Sequence, residues 1–484
     1  MINFMKYWIT TFGCQMNKSD SERIASVLEE IGCKKTSKES EADLIVVNMC
    51  SVRQSAVDRI FGLNQKFVKL KTLNHKLKTV LTGCVLKEDK KKFQKGFDLI
   101  LNIKDLPNWP KYFKPKISVE LRRSPLFNGS CYLKAKPKYQ NNFSAFVPIM
   151  TGCNNFCSYC VVPYVRGPEV SRPAKEILSE VKDLVKMGFK EIWLLGQNVN
   201  SYRSGSTLIS TRNNAEVNFA KLLKMVNDIP GNFWIRFTSP HPKDFSDELI
   251  ETMAKCQKVT PYLNLPVQSG DDEILKKMNR PYTIAKYKKL IQKIRSKFAK
   301  IREGLERNIA ISTDIIVGFP GETKKQFGNT VKLFKEIKFD MAYIAKYSPR
   351  PGTAAAKLKD DVSPKEKERR RKILTEILKE TALEKNKKYI GRTVEVLIET
   401  EQPRTKTSSV RGRSELNILK YAENQRRSAF SSASISFYMG KTRTHKTVKV
   451  QSAINNQQLT IKPGQFVKVK IIDALPWGLK GKLI

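Results

Sequence analysis

Three cysteines stand close together in the stretch Ile149-Met-Thr-Gly-Cys-Asn-Asn-Phe-Cys-Ser-Tyr-Cys160, so Cys153, Cys157 and Cys160 are separated by three residues and then two. Three thiolates from one short loop can ligate three irons of a cubic [4Fe-4S] cluster, leaving the fourth iron without a protein ligand. An open iron on a reducing cluster can bind a small molecule and pass it an electron. Zinc usually takes four closed ligands from paired Cys or His motifs, and no partner pair follows at zinc-finger spacing. A disulfide reading fits less well, because three neighbouring thiols leave one over.

A second set of cysteines is spread through the first 100 or so residues. Strand-like runs at 7–11, 44–47 and 79–82 alternate with amphipathic helices beginning near Ser19, Arg53 and Lys87, an order that favours a parallel sheet. Each run leads into a cysteine: Thr-Phe-Gly-Cys14, Val-Asn-Met-Cys50 and Leu-Thr-Gly-Cys84. Ligands of open parallel sheets sit outside the carboxyl ends of the strands, so three distant thiols fall on one rim. A single buried cysteine is ordinarily a small hydrophobe. Recurrence at three strand ends reads instead as a second cluster site. Cys33, Cys131 and Cys256 share no such pattern and read as structural or incidental.

The elements that must position these residues follow from periodicity. A Pro- and Lys-rich stretch, 107–139, reads as a linker. Six strand candidates follow, at 146–149, 192–195, 234–237, 262–265, 311–317 and 342–345, with helical stretches such as 174–187 and 324–337 between them. That alternation predicts a (β/α)6 partial barrel with functional loops at the strand carboxyl ends. The loop of Cys153 follows the first of these strands. From about Ser363 a charged helical segment leads to strand-like runs at 393–398 and 465–472, which predict a small β-barrel. Residues 401–484 carry 16 Lys and Arg against 4 Asp and Glu, a net of +12, and 423–436 reads as a polar loop.

At 484 residues and 40% hydrophobic composition the chain has material for about three cored domains. No apolar run reaches transmembrane length, and the start lacks the pattern of a signal peptide. Nine cysteines without a signal predict reduced thiols and a cytoplasmic location. The 89 basic and 46 acidic residues give a formal charge of +43, a field that attracts polyanions, nucleic acid first among them. Solvated lysine faces are the bland source of such a charge.

The C-x3-C-x2-C loop, with Tyr159 before its last cysteine, resembles the radical S-adenosylmethionine (SAM) superfamily. The other motifs narrow the resemblance to the methylthiotransferases, and among them to the bacterial MiaB-type tRNA enzymes. They are Thr11-Phe-Gly-Cys-Gln-Met-Asn17, Asn48-Met-Cys-Ser-Val-Arg53, Val161-Val-Pro-Tyr-Val-Arg-Gly167, Leu195-Gly-Gln-Asn-Val-Asn-Ser-Tyr202, Arg236-Phe-Thr-Ser-Pro-His-Pro242, Leu265-Pro-Val-Gln-Ser-Gly270, Thr313-Asp-Ile-Ile-Val-Gly-Phe-Pro-Gly-Glu-Thr323 and Tyr347-Ser-Pro-Arg-Pro-Gly-Thr353. They are co-linear over nearly the whole chain. The resemblance implies an α/β protein with an N-terminal open-sheet domain over 1–125, a radical-SAM barrel over 140–374 and a TRAM-like RNA-binding β-barrel over 376–484. It implies methylthio transfer to C2 of N6-isopentenyladenosine at position 37 of tRNA, next to the anticodon. Two [4Fe-4S] clusters would serve: Cys14, Cys50 and Cys84 would hold an auxiliary cluster carrying the sulfur, which one SAM methylates. A second SAM, cleaved at the cluster of Cys153, Cys157 and Cys160, would supply the radical that takes hydrogen from the adenine carbon. An aromatic C–H bond is beyond side-chain acid–base chemistry, which is why such machinery is needed. The resemblance also implies a tRNA partner and a low-potential electron donor; the lack of a long apolar run predicts no membrane association, and a monomer is the expected state.

Supporting groups follow on the same resemblance. Tyr159 would lie beside the SAM adenine, and Gly196 and Gln197 near its amino group, the bland alternative being a tight loop after a strand. Arg166, Arg236 and Arg350 suit a SAM carboxylate, an RNA phosphate or a buried ion pair. His241, between two prolines, reads as structural, and Asp314 and Glu322 make no acid–base pair.

Departures from the family pattern are the Val-Leu-Lys after Gly83-Cys84, where alanine and glutamine are usual, a long 401–438 segment and small insertions near 203–216 and 302–308. The close alternative is a sister enzyme acting on threonylcarbamoyladenosine in tRNA or on a ribosomal-protein aspartate. The alternative of another class is a non-catalytic iron–sulfur protein that binds RNA, which would ligate its clusters fully with protein groups.

Overall fold

Every side chain of the strand Leu44–Cys50 is buried, as in a strand paired on both edges and covered on both faces. Its neighbours are Lys6–Phe12 on one side and Lys78–Cys84 on the other, both parallel to it, with two-residue strands Lys34–Lys35 and Leu99–Ile100 at the sheet edges. The run Leu-Ile-Val-Val supplies the β-branched and apolar residues that such a central position rewards, each worth roughly 1.5–3 kcal/mol when fully buried. Helices Gln15–Glu30, Gln54–Leu73 and Lys87–Phe93 follow the three long strands. The first two begin within five residues of their expected starts, and the third begins at Lys87 as expected.

The computed structural model describes residues 4–52, 54–113, 132–204, 216–402, 435–453 and 461–484. Cys131, the expected boundary at 125, and most of the 203–216 and 401–438 segments lie outside them, as does most of the 423–436 loop. Two compact units divide the chain, Met1–Leu378 and Lys379–Ile484.

Part of the expected linker is packed structure. Trp109 and Phe113 on one side, and Tyr132, Leu133 and Ala135 on the other, join Tyr7, Ile24 and Val46 in one buried core. Proline and lysine dominate the composition there, yet five well-placed apolar residues decide the local outcome, because buried area rather than average polarity sets the free energy.

All six strands expected of the partial barrel form. Ser144–Pro148, Glu191–Leu195 and Trp234–Phe237 make one parallel sheet, and Tyr262–Asn264, Ala310–Val317 and Met341–Lys346 another. A parallel bridge from Ile235 to Val259 lies between the two triplets, and both face a shared core. The helix Ala174–Lys186 shows why the connections pack: Ile177, Val181 and Leu184, spaced four and three apart, form its buried stripe. Thr283 and Thr323 cap later helices through their hydroxyl oxygens.

In the second unit, strands Thr393–Gln402, Ile435–Thr442, Thr447–Ala453, Phe466–Leu475 and Gly478–Leu483 close a five-stranded barrel. Arg443–Lys446 make the tight connection between the second and third of these, with His445 at φ 63°.

Candidate active site

The cysteine loop leaves the end of Ser144–Pro148 through a sharp turn. At Gly152, φ is 85°, and an added Cβ would come within 1.8 Å of the Pro168 carbonyl oxygen, so only glycine passes. The Gly152 N–H donates to Gln197 Oε1 at 2.6 Å. At Gly196 an added Cβ would meet Met150 Cγ at 2.7 Å. Gly196 and Gln197 therefore hold the loop against the end of the next strand.

Each sulfur of this loop accepts an N–H. Asn155 N is 3.4 Å from Cys153 Sγ, Val162 N is 3.5 Å from Cys160 Sγ, and Arg280 Nη1 is 3.6 Å from Cys157 Sγ. Burial pushes the Cys153 thiol up and the Cys160 thiol up to about 12. N–H donors aimed at all three sulfurs suit thiolates bound to a cationic cluster. Tyr159 is half-buried against Ile274, Met278, Phe319, Tyr347 and Ala355. Phe156 and Tyr164, on the same segment, remain exposed.

The second triad sits on the rim of the N-terminal sheet. Cys50 and Cys84 end adjacent strands and lie opposite each other in register. Cys14 follows the first strand and caps the helix Gln15–Glu30, its N–H donating to Asn17 Oδ1 at 3.2 Å. Beneath them Asn17 Nδ2 donates to Asn48 Oδ1, and Asn48 Nδ2 donates to Asn17 O and Ser21 Oγ. This fully bonded, buried asparagine pair fixes the first two strand ends relative to each other. The three sulfurs lie near enough to feel one another's charge. A hydrogen bond from Cys50, joined by the Arg166 guanidinium, pulls Cys84 down to about 6, whereas Cys50 is raised by the same bond and by burial. A pair in which one thiol yields its proton readily is a sound donor set for a metal. Among the described residues no three His, Cys, Asp or Glu side chains are arranged to hold a single ion; a four-iron cube is a larger guest than one ion.

Arg166 joins the two triads. It ends the short helix Val162–Arg166, just past Cys160, and donates from Nε to Cys84 Sγ at 3.0 Å, from Nη1 to Tyr132 Oη at 2.9 Å and from Nη2 to Asp20 Oδ2 at 2.6 Å. Arg236 is committed elsewhere. It pairs with Glu191 at 2.6 Å between Trp193 and Trp234. Arg350 donates to Gln54 Oε1 at 2.5 Å and lies close enough to Cys50 to interact with its charge. His241 Nδ1 caps the turn Pro242–Asp244, and burial, then the charges of Arg280 and Lys243, push its pKa down to about 2. Glu322 pairs with Arg370, and Asp314 accepts from Asn264.

Sequence reasoning missed Arg280, Asp20 and Tyr132. Asn17 and Asn48 lie inside the quoted motifs, but nothing in their spacing marked them as partners. Arg280 comes from Met-Asn-Arg-Pro, a stretch with no chemical periodicity, and only the fold brings it to Cys157.

Residues 147–334 match the radical SAM superfamily, and residues 6–102 match the uncharacterized protein family UPF0004. A protein of Clostridium botulinum strain Langeland, named tRNA-2-methylthio-N(6)-dimethylallyladenosine synthase, is 40% identical over 99% of this chain and 97% of its own length. Proteins of the same name from Clostridium novyi and Thermoanaerobacter sp. strain X514 are each 38% identical over 99% of this chain, covering 96% and 92% of their own lengths. Among solved structures, the radical SAM methyltransferase TsrM from Kitasatospora setae matches with a TM-score of 0.49 at 13% identity, covering 72% of this chain and 75% of that one.

Proposed function

The chain belongs to the tRNA-2-methylthio-N(6)-dimethylallyladenosine synthase family, and from that membership we propose that it methylthiolates C2 of N6-isopentenyladenosine at position 37 of tRNA, using SAM. The observation that carries this reading is identity along essentially the whole chain together with two cysteine triads in one compact unit.

Cys153, Cys157 and Cys160 would hold one [4Fe-4S] cluster, and Cys14, Cys50 and Cys84 a second. Bound there, the clusters supply a low-potential electron for SAM and a site for the sulfur to be transferred. The chain's own residues account for the setting. Asn155 and Val162 amides and the Arg280 guanidinium offset negative charge on the loop sulfurs. Gly152, Gly196 and Gln197 fix the loop at the carboxyl end of the first barrel strand, with SAM's amino group expected near Gly196 and Gln197. Tyr159 offers an apolar face for the SAM adenine. A reactive radical formed there would need a setting that excludes water.

The C-terminal barrel, with its excess of lysine and arginine, serves as a TRAM-like phosphate-binding module for the tRNA. A low-potential donor in the cytoplasm would supply electrons to a monomeric enzyme. Among the described residues no helix is long and apolar enough to cross a membrane.

Anaerobic reconstitution with iron, sulfide, SAM and isopentenylated tRNA, followed by nucleoside mass spectrometry, tests the function. A mass gain of one methylthio group on the isopentenylated nucleoside is expected. Modification of threonylcarbamoyladenosine instead, or none with both clusters loaded, overturns the reading.

A further inference from the structure

We propose that Arg166 is a positioning residue that sets the reduction potential of the group ligated by Cys84, through a charged N–H aimed at the Cys84 sulfur. The inference rests on the reading that Cys14, Cys50 and Cys84 hold a cluster. It goes beyond that reading by assigning the residue that tunes it.

The geometry is specific. Arg166 is buried, and all three of its guanidinium nitrogens have partners. Asp20 and Tyr132 take the two terminal nitrogens and are themselves hydrogen-bonded at 3.2 Å, so the fork cannot rotate and Nε is left facing sulfur. The planar fork is what permits this; a lysine ammonium is a single point charge on a flexible stem. The charge also acts on Cys14, so the guanidinium lies within range of two ligands of the set. Inside a protein a charge at 3.0 Å is weakly screened. Hydrogen bonds to cluster sulfurs and nearby positive charge favour the reduced, more negative cluster, which raises its potential. Asp20, at 2.6 Å from Arg166, offsets part of that charge.

The pair therefore makes a prediction of sign. Loss of the positive partner lowers the potential, and loss of the negative partner raises it. A staple that only held two elements together would shift neither, or both alike.

The test uses the full chain with Cys153, Cys157 and Cys160 changed to alanine, so that one cluster remains, of about four irons. After anaerobic reconstitution, a reductive titration followed by electron paramagnetic resonance gives the midpoint. Arg166→Gln is expected to shift it to lower potential, Asp20→Asn to higher potential, and Arg166→Lys to fall between Arg166→Gln and the parent. An unchanged midpoint in fully loaded Arg166→Gln overturns the proposal, as do shifts of Arg166→Gln and Asp20→Asn in the same direction. If Arg166→Gln fails to take up iron, Asp20→Asn decides alone, a lower or equal potential being the adverse result. Failure of both to load while the parent loads makes the pair a folding staple and overturns it as well. If the parent itself takes up no iron, it is the cluster reading that falls.

Discussion

Arg280 reaches across 123 residues of sequence to place Nη1 3.6 Å from Cys157 Sγ, while its Nε donates to Tyr282 Oη and its Nη2 to the Pro266 carbonyl. The side chain is buried, so its charge is held at the middle cysteine of the loop by two anchors that bear no charge of their own at neutral pH. Partners that hydrogen-bond metal ligands typically matter by 10- to 100-fold when removed. Arg280→Gln should therefore lower the rate of reductive SAM cleavage by roughly 10- to 100-fold, with iron content near that of the parent. Initial rates of 5′-deoxyadenosine formation, normalised to iron, check this; a rate equal to the parent's would show that the contact is incidental.

On the proposed function the two cysteine sets would divide the labour. Alanine at Cys153, Cys157 or Cys160 removes a ligand of the SAM-cleaving site, and 5′-deoxyadenosine formation should vanish. Alanine at Cys14, Cys50 and Cys84 together should leave about half the iron, one four-iron cluster of two. That variant should still cleave SAM and yet make no methylthiolated tRNA. Iron, 5′-deoxyadenosine and modified nucleoside measured on the same samples separate the two roles. A triple variant with full iron and normal product would remove the second site.

Much of this was legible because the chemistry is local in sequence or repeats with the fold. The loop of Cys153 announces itself by spacing, and the other triad by three strands each running into a cysteine, which the register of Cys50 opposite Cys84 turns into a neighbour pair. The six barrel strands follow from apolar runs whose period needs no tertiary knowledge. What sequence did not disclose is the set of charged partners. Arg166 presents the same letters whether it meets a SAM carboxylate, a phosphate or Asp20, and 146 residues separate it from that aspartate. The apolar residues around Trp109 were hidden differently, by a proline- and lysine-rich average that masks five buried side chains.

Glu22 supplies a pH dependence independent of the clusters. Burial, opposed by the Gln140 N–H and by Arg23, pushes its carboxyl up from 4.5 to about 7, and its Oε2 has no hydrogen-bond partner. The folded protein thus holds a proton that the unfolded chain has released between pH 4.5 and about 7. Stability contributed by this group is full below that window and is lost as pH rises through it, by up to about 3 kcal/mol. Glu22→Gln keeps the acceptor for Gln140 and removes the titration. Urea midpoints from pH 5 to 8 should decline less steeply in Glu22→Gln than in the parent, and its midpoint at pH 8 should be the higher. Parallel curves would show that Glu22 ionises normally in the folded state.

Lys470 and Lys482 lie directly opposite each other on antiparallel strands of the C-terminal barrel, and Lys449 lies opposite Lys480 on the adjoining pair. All four are exposed. Lys480 is paired with Asp473 at 2.8 Å; like charges placed opposite one another cost stability in a sheet, so the Lys470–Lys482 pair makes physical sense where a polyanion neutralises it. Lysines that meet phosphate release condensed counterions, and the slope of log affinity against log salt counts them at about 0.7 to 0.9 per contact. Lys470→Gln with Lys482→Gln should therefore reduce the slope for tRNA by roughly 1.4 to 1.8, and weaken binding most at low salt. Thermal stability of the free protein should stay level or rise slightly, because a repulsion has been removed. A salt series of tRNA binding curves, run beside thermal melts of the same two proteins, reads both quantities. An unchanged slope would mean that the tRNA backbone does not run over this face of the barrel.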